Sequence, residues 1–206
     1  MLNRTRQARL KPILIVRLLW FLSAVSLHSE SKKMYELFGP DLKLGSEKAQ
    51  NLHERAETSF HAGDFAQAHK LLDEALVNIK TSPLSDPRDL PIVLTSIAQV
   101  YLEEAEFDKA VPILKDSIEM AEKSLGADHP VVGRSLNVWG LTDRAKGEFN
   151  AAISLLQRSA AIFRKAYGEQ NFCSLAVSHN LALIYRDQGK YSESLAIFEH
   201  QLPIAE

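Results

Sequence analysis

The chain has 206 residues, 46% of them hydrophobic and 24% charged, which provides apolar side chain for a buried core and excludes a disordered or collagen-like polymer. A formal charge of −2 excludes the basic balance of a nucleic-acid binder. The single cysteine, Cys173, excludes an intramolecular disulfide and a multi-cysteine zinc site, so the fold must rest on packing.

Residues 1–29 read as a targeting segment. They hold five basic residues (Arg4, Arg6, Arg9, Lys11, Arg17) and no acidic one; the rest of the chain holds 19 basic and 26 acidic residues, a balance of −7. A basic stretch to Lys11 precedes an apolar run from Ile13 to Leu27 that Arg17 interrupts, with small residues at Ala24 and Ser26. The order basic, apolar, small is that of a secretory signal, and its unbroken part, Leu18 to Leu27, falls short of the roughly 20 apolar residues of a bilayer span. The expectation is an exported protein, periplasmic or secreted, cleaved after Ser26 or nearby. An uncleaved membrane anchor in which Arg17 snorkels, a mitochondrial presequence and an exposed hydrophobic tail are the alternatives. Residues 30–46 follow as a linker.

From residue 47 onward the sequence repeats. The turns His61-Ala62-Gly63-Asp64-Phe65, Glu104-Ala105-Glu106-Phe107, Lys146-Gly147-Glu148-Phe149 and Gln188-Gly189-Lys190-Tyr191 place aromatics at 65, 107, 149 and 191, one every 42 residues. Three further columns keep that period: small residues at Ala56, Ala98, Gly140 and Ala182, small again at Ala68, Ala110, Ala152 and Ser194, and bulky apolar ones at Leu72, Leu114, Leu156 and Phe198. Each period reads as two antiparallel helices on a tight turn, with small residues where the backbones approach and the aromatic column in the core. The expected helices are 47–61, 65–80, 90–104, 107–124, 129–146, 149–166, 172–187 and 191–204, in units of about 47–88, 89–130, 131–172 and 173–206. Between units, Gly126 and Gly168 end helices in a left-handed conformation, Asp128 caps the next helix, and Pro130 occupies its first turn. Pro91 lies too deep for a helix starting at Asp86, so that helix begins nearer Asp89.

The Gly-x-Phe/Tyr turns, the small columns and the linker Leu125-Gly126-Ala127-Asp128-His129-Pro130, followed by Ser135-Leu136-Asn137, resemble tetratricopeptide (TPR) repeats of the kinesin-light-chain type. Those repeats, too, are longer than the usual ~34-residue form. The resemblance covers residues 47–206 and departs in three ways: Thr81 to Leu90 lacks Gly-x-Asp-His-Pro, Tyr167 to Asn171 lacks His-Pro, and the export-type N-terminus argues against a motor subunit of the cytosol. It implies an all-α, right-handed superhelical solenoid of about four helix pairs that binds another protein or a peptide along its inner face.

Signatures of catalysis are missing: there is no Gly-rich phosphate loop, no Gly-x-Ser-x-Gly and no cysteine pair, and neither catalytic residue, metal nor cofactor is expected. His53-Glu54-Arg55-Ala56-Glu57 begins like the His-Glu-x-x-His of zinc proteases but lacks the second histidine, and Ala56 belongs to a buried column. A binding site is therefore sought on the first helices, at positions three before and about four after each small column. These offsets select Thr95, Gln99, Leu102, Asn137, Leu141, Arg144, His179, Leu183 and Arg186, with Arg134 one turn before Asn137, and the groove of units three and four has a floor that includes Leu141 and Leu183. Read as a basic patch in an acidic chain, they point to a peptide with acidic side chains or a free C-terminus. Arg144 and Arg186, one period apart, should stand about 10 Å from each other. The competing reading is that the arginines pair with Asp143, Asp187 and Glu148. At the other end, Leu195, Phe198 and Leu202 form a candidate apolar patch for a homodimer.

Overall fold

The computed structural model describes residues 43–82 and 86–201. The signal or anchor expected at 1–29, most of the linker expected at 30–46, and Leu202 of the expected C-terminal patch lie outside the described residues.

The described residues form helices only: α1 (Glu47–His61), α2 (Phe65–Thr81), α3 (Asp89–Glu103), α4 (Phe107–Leu125), α5 (Pro130–Ala145), α6 (Phe149–Tyr167), α7 (Phe172–Asp187) and α8 (Tyr191–Gln201). They pair in sequence as α1/α2, α3/α4, α5/α6 and α7/α8, and each pair packs on the next, giving an all-α solenoid. The bounds match the expected ones to within a residue, with α8 described as far as Gln201. α3 begins at Asp89, which leaves Pro91 in its first turn, where the missing N–H has no intrahelical partner to lose.

Side-chain caps mark the starts of α1, α2, α5 and α7, with one correction. Ser46, Asp64 and Asn171 accept hydrogen bonds from Ala49, Gln67 and Cys173 backbone N–H groups. The cap of α5 is His129, whose Nδ1 accepts from Val131 N at 3.2 Å. Asp128, expected in that role, instead pairs with Lys165 on the neighbouring unit. Pro130 occupies the first helical position, so the residue directly before it is the one with the extended backbone a cap requires. Gly126 has φ 96° and ψ 155° and Gly168 has φ 87° and ψ 168°. Both therefore lie in the positive-φ extended region, essentially glycine-only, rather than in the left-handed helical one.

The four intrapair turns are built alike. In each, an N–H reaches back five residues to close the first helix: Asp64 to Ser59 O, Glu106 to Tyr101 O, Glu148 to Asp143 O and Lys190 to Tyr185 O, at 2.8–2.9 Å. That closure needs a positive φ one residue earlier, and Gly63, Gly147 and Gly189 supply it at 75–80°. Ala105 occupies the same place at φ 58° and is the one positive-φ non-glycine among the described residues.

Packing follows the period. Ala68, Ala110, Ala152, Ala98 and Ala182 are fully enclosed, as are Leu72, Leu114 and Leu156. At Gly140 a Cβ would stand 2.7 Å from Leu156 Cγ, so α5 and α6 approach more closely than an alanine would permit. The aromatic column is less buried than expected. Phe65, Phe107 and Phe149 are half-buried and Tyr191 is 70% exposed. Each is the first residue of its helix, at the rim of the solenoid rather than between the helix axes. The two helices of a unit are also joined by buried hydroxyls: Ser117 Oγ donates to Pro91 O at 2.9 Å and, one period later, Ser159 Oγ donates to Gly133 O at 2.6 Å.

Candidate functional site

Consecutive first helices touch through residues 43 apart. His53 Nε2 and Ser96 Oγ are 2.7 Å apart, Asn180 Nδ2 donates to Asn137 Oδ1 at 2.9 Å, and Arg144 Nε donates to Asp187 Oδ2 at 2.7 Å. The offset is one period plus one residue, and it sets which side chains meet on the face made by α1, α3, α5 and α7.

Two polar clusters result. In the first, Arg134 Nη2 donates to Ser96 Oγ at 2.9 Å and lies 3.4 Å from Glu57 Oε1, so one guanidinium on α5 reaches α3 and α1 together. Gln99 lines a very small cavity of about 10 Å³ beside Glu57 and Ser96. His53 is fully buried against this cluster, and burial depresses its imidazole to about 4 despite the attraction of Glu57, so the ring is neutral at pH 7. His53 and Glu57 are thus parts of an interhelix polar network, and among the described residues no group of three or more His, Cys, Asp or Glu could hold a metal.

The second cluster lies at the ends of α5 and α7. Arg144 bonds Asp187 Oδ2 through Nε and Nη2, both at 2.7 Å. Arg186 bonds Asp187 Oδ1 through Nη2 at 3.0 Å and Nε at 3.2 Å. Burial alone would raise the Asp187 carboxyl, but the hydrogen bonds from both arginines outweigh it and hold the group below the usual carboxylate range. A cleft of about 480 Å³ opens beside it, lined by Leu102, Glu103, Leu141, Arg144, Ala145 and Asp187.

The expected site residues therefore separate. Arg144, Arg186 and Leu141 come together, while Arg134 and Gln99 belong to the first cluster and Asn137 pairs with Asn180. His179 is half-buried with its ring edge-on to Phe198 at 5.4 Å; burial lowers its imidazole, and Arg186 and Arg144 add to that shift. Thr95 is not on an open surface. It is fully buried, 2.7 Å from Ser135 Oγ and 3.0 Å from Ser117 Oγ, because its hydroxyl turns into the junction of α3, α4 and α5. The 10 Å expected between Arg144 and Arg186 is also corrected. Helix spacing separates their backbones, but both long side chains converge on one carboxylate.

Of the three acids weighed as partners, Asp187 is the one these arginines use. Glu148 pairs with Lys146 at 2.7 Å, and Asp143 is buried, which raises its carboxyl, with Trp139 as a hydrogen-bond partner. A scan of the sequence for arginines named Asp187 as a possible partner but missed Glu57, Ser96 and Asn180. The 43-residue offset would have found all but Glu57, which lies 77 positions from Arg134. Cys173 is buried, which pushes its thiol up to about 11 and leaves little thiolate at neutral pH.

A family model described as tetratricopeptide repeat matches residues 89–165 and 132–206. Among curated proteins, the chain is 24% identical over 136 residues to the RxLR effector protein SFI4 of Phytophthora infestans, an alignment covering 63% of this chain and 40% of that protein. It is 26% identical over 110 residues to the secreted RxLR effector protein RXLR-C07 of Plasmopara halstedii, covering 53% of this chain and 34% of that one. The matched stretch thus spans less than half the length of these relatives. Among solved structures, the fold is similar to nearly identical TPR-like repeats assigned to a kinesin light chain of Podosopora anserina, with a TM-score of 0.62, 24% identity and 77% of each chain covered.

Proposed function

Because the chain belongs to the tetratricopeptide-repeat family, we propose that it is a non-enzymatic scaffold that holds a partner protein through an extended peptide laid across α3, α5 and α7. The observation that carries this reading is the cleft beside Arg144 and Asp187, which joins an apolar floor at Leu102 and Leu141 to charged groups. Apolar side chains give such a site affinity, and a few placed polar groups fix orientation. Asn137 and Asn180, paired through one Nδ2–H, keep further donor and acceptor capacity for a peptide backbone.

The test is capture of partners by the protein isolated from its own host, followed by mass spectrometry. Replacing Leu141 by aspartate should abolish capture, because a carboxylate would then stand on the apolar floor. Lys165→Ala, an exposed residue paired with Asp128, should leave capture unchanged. Equal capture by both variants would move the binding site elsewhere.

The protein also reads as one that leaves the cytosol. Support comes from the basic, apolar, small order of residues 1–29 and from the description of one relative as a secreted effector. N-terminal sequencing from the native host should find a start near Leu27 or Glu30; an intact Met1 in a soluble cytosolic fraction would refute export.

A further inference from the structure

Asp187 has an unusual position. It is the last residue of α7, where the helix dipole disfavours a negative charge, so it does not serve the stability of that helix end. Arg186 is its neighbour in sequence, and adjacent residues on a helix do not face one another, so the Arg186 guanidinium has to fold over to reach it. Arg144 arrives from a different unit and takes the opposite oxygen. Two guanidinium groups from successive repeats thus grip one carboxylate at the edge of an open cleft, with both partners of the Arg144 contact only about a quarter exposed at 25%.

This is the arrangement that two arginines would form around a carboxylate brought by a ligand. Charge decides whether an acidic ligand could enter as the site stands. Arg144 and Arg186 contribute two positive charges, and Asp187 with Glu103 on the cleft wall contributes two negative ones. An incoming carboxylate meets no net attraction until Asp187 is displaced.

Resting on the reading of this face as a ligand groove, we propose that Asp187 is an intramolecular stand-in for a ligand carboxylate, a specificity-determining residue that competes with acidic peptides for Arg144 and Arg186. The groove as built favours a peptide that places an apolar side chain on Leu102 and Leu141. It accepts an acidic residue beside that anchor only at the expense of the internal pair. Removing the internal carboxylate converts the same groove into an acceptor of acidic peptides. The exchange involves hydrogen bonds and charge alone, and no covalent bond changes.

The experiment compares the full chain with Asp187→Asn, Arg144→Ala and the double variant Asp187→Asn/Arg144→Ala. The probe is a short fluorescein-labelled peptide with a central aspartate flanked by leucines, run beside its asparagine counterpart, and anisotropy gives the affinity. Asp187→Asn should tighten binding of the aspartate peptide about tenfold, the effect of gaining a charge-assisted contact. It should leave the asparagine peptide unchanged, and the gain should shrink at high salt. In the double variant the gain should vanish.

Asp187→Asn that binds the aspartate peptide no better than the parent overturns the proposal, including the case in which no variant binds it. The groove itself is judged separately, by the Leu141 capture experiment. A gain that survives loss of Arg144 also overturns it, because the affinity would then come from general charge. Circular dichroism of each variant identifies any that fails to fold. Should Asp187→Asn be one, Asp187→Ser, which also removes the charge, replaces it.

Discussion

The turn between α3 and α4 offers a paired test in which opposite chemical changes at two equivalent positions have opposite effects on stability. Ala105 holds φ 58° where the other three turns have glycine at 75–80°. An L-residue in this region costs about 1–2 kcal/mol, because its Cβ crowds the following carbonyl. Glycine relieves that strain but gains unfolded-state freedom worth about 0.5–1 kcal/mol. The difference leaves Ala105→Gly about 0.5–1 kcal/mol more stable than the parent. The Ala105 side chain is exposed, so no packing is lost with it. Gly147→Ala is the reverse change at φ 80°, and a Cβ there would meet nothing within 4 Å. Its cost is therefore purely one of backbone conformation, again about 0.5–1 kcal/mol, now destabilising. Thermal unfolding followed by circular dichroism should separate the two variants by several degrees, since 1 kcal/mol moves Tm by about 2–4 °C at this size. Urea midpoints should agree in sign. An Ala105→Gly protein no more stable than the parent, or a Gly147→Ala protein equal to it, would refute the reasoning.

Three further outcomes follow from the packing and the buried polar groups. Gly140→Ala restores the residue type found at positions 56, 98 and 182 and gains about 1 kcal/mol in helix propensity, yet should destabilise. Its Cβ would meet Leu156 Cγ at 2.7 Å and Ala152 O at 3.3 Å, and overpacking costs about 1–3 kcal/mol; Ala110→Leu, at a fully enclosed site, should lose a similar 1–3 kcal/mol in thermal unfolding. Ser117→Ala removes one donor to Pro91 O, which keeps the bond from Thr95 Oγ1, and should cost about 0.5–1.5 kcal/mol by urea unfolding. His53 has its folded-state imidazole depressed to about 4 from 6.5. The unfolded chain therefore binds the proton first, and the His53 contribution is complete above pH 6.5 and lost as pH falls toward 4. Urea titrations at pH 7 and pH 4.5 should show a loss of ~2 kcal/mol that is smaller in His53→Gln, and an equal loss in both proteins would exclude His53 as its source.

Much of the molecule is local and therefore legible in the chain. A 42-residue period, turn glycines, small columns and the placement of prolines are properties of neighbouring residues, and they located the first seven helices at both ends, and the start of α8, to within a residue. They also marked Ala56, Ala98, Ala110 and Ala152 as contacts, because a small side chain repeated in phase has little other use in a helix pair. Tertiary structure decided what local pattern leaves open. Asp128 and His129 are both capable caps, and only the backbone before Pro130 chose His129. Thr95 and Asn137 share a column, yet one hydroxyl is buried between three helices while the amide stays half-exposed, because the rotation of one unit on the next is not written in either helix. The arginines were visible as a basic set, and Asp187 as one of three acids they could meet, but which acid each would reach was not. Glu57 lies 77 positions from Arg134 and Asp187 lies 43 from Arg144, distances that only the stacking of units closes. Periodicity specifies which faces are apolar, whereas charges pair across units by reach and rotation, and these exist only once the solenoid is assembled.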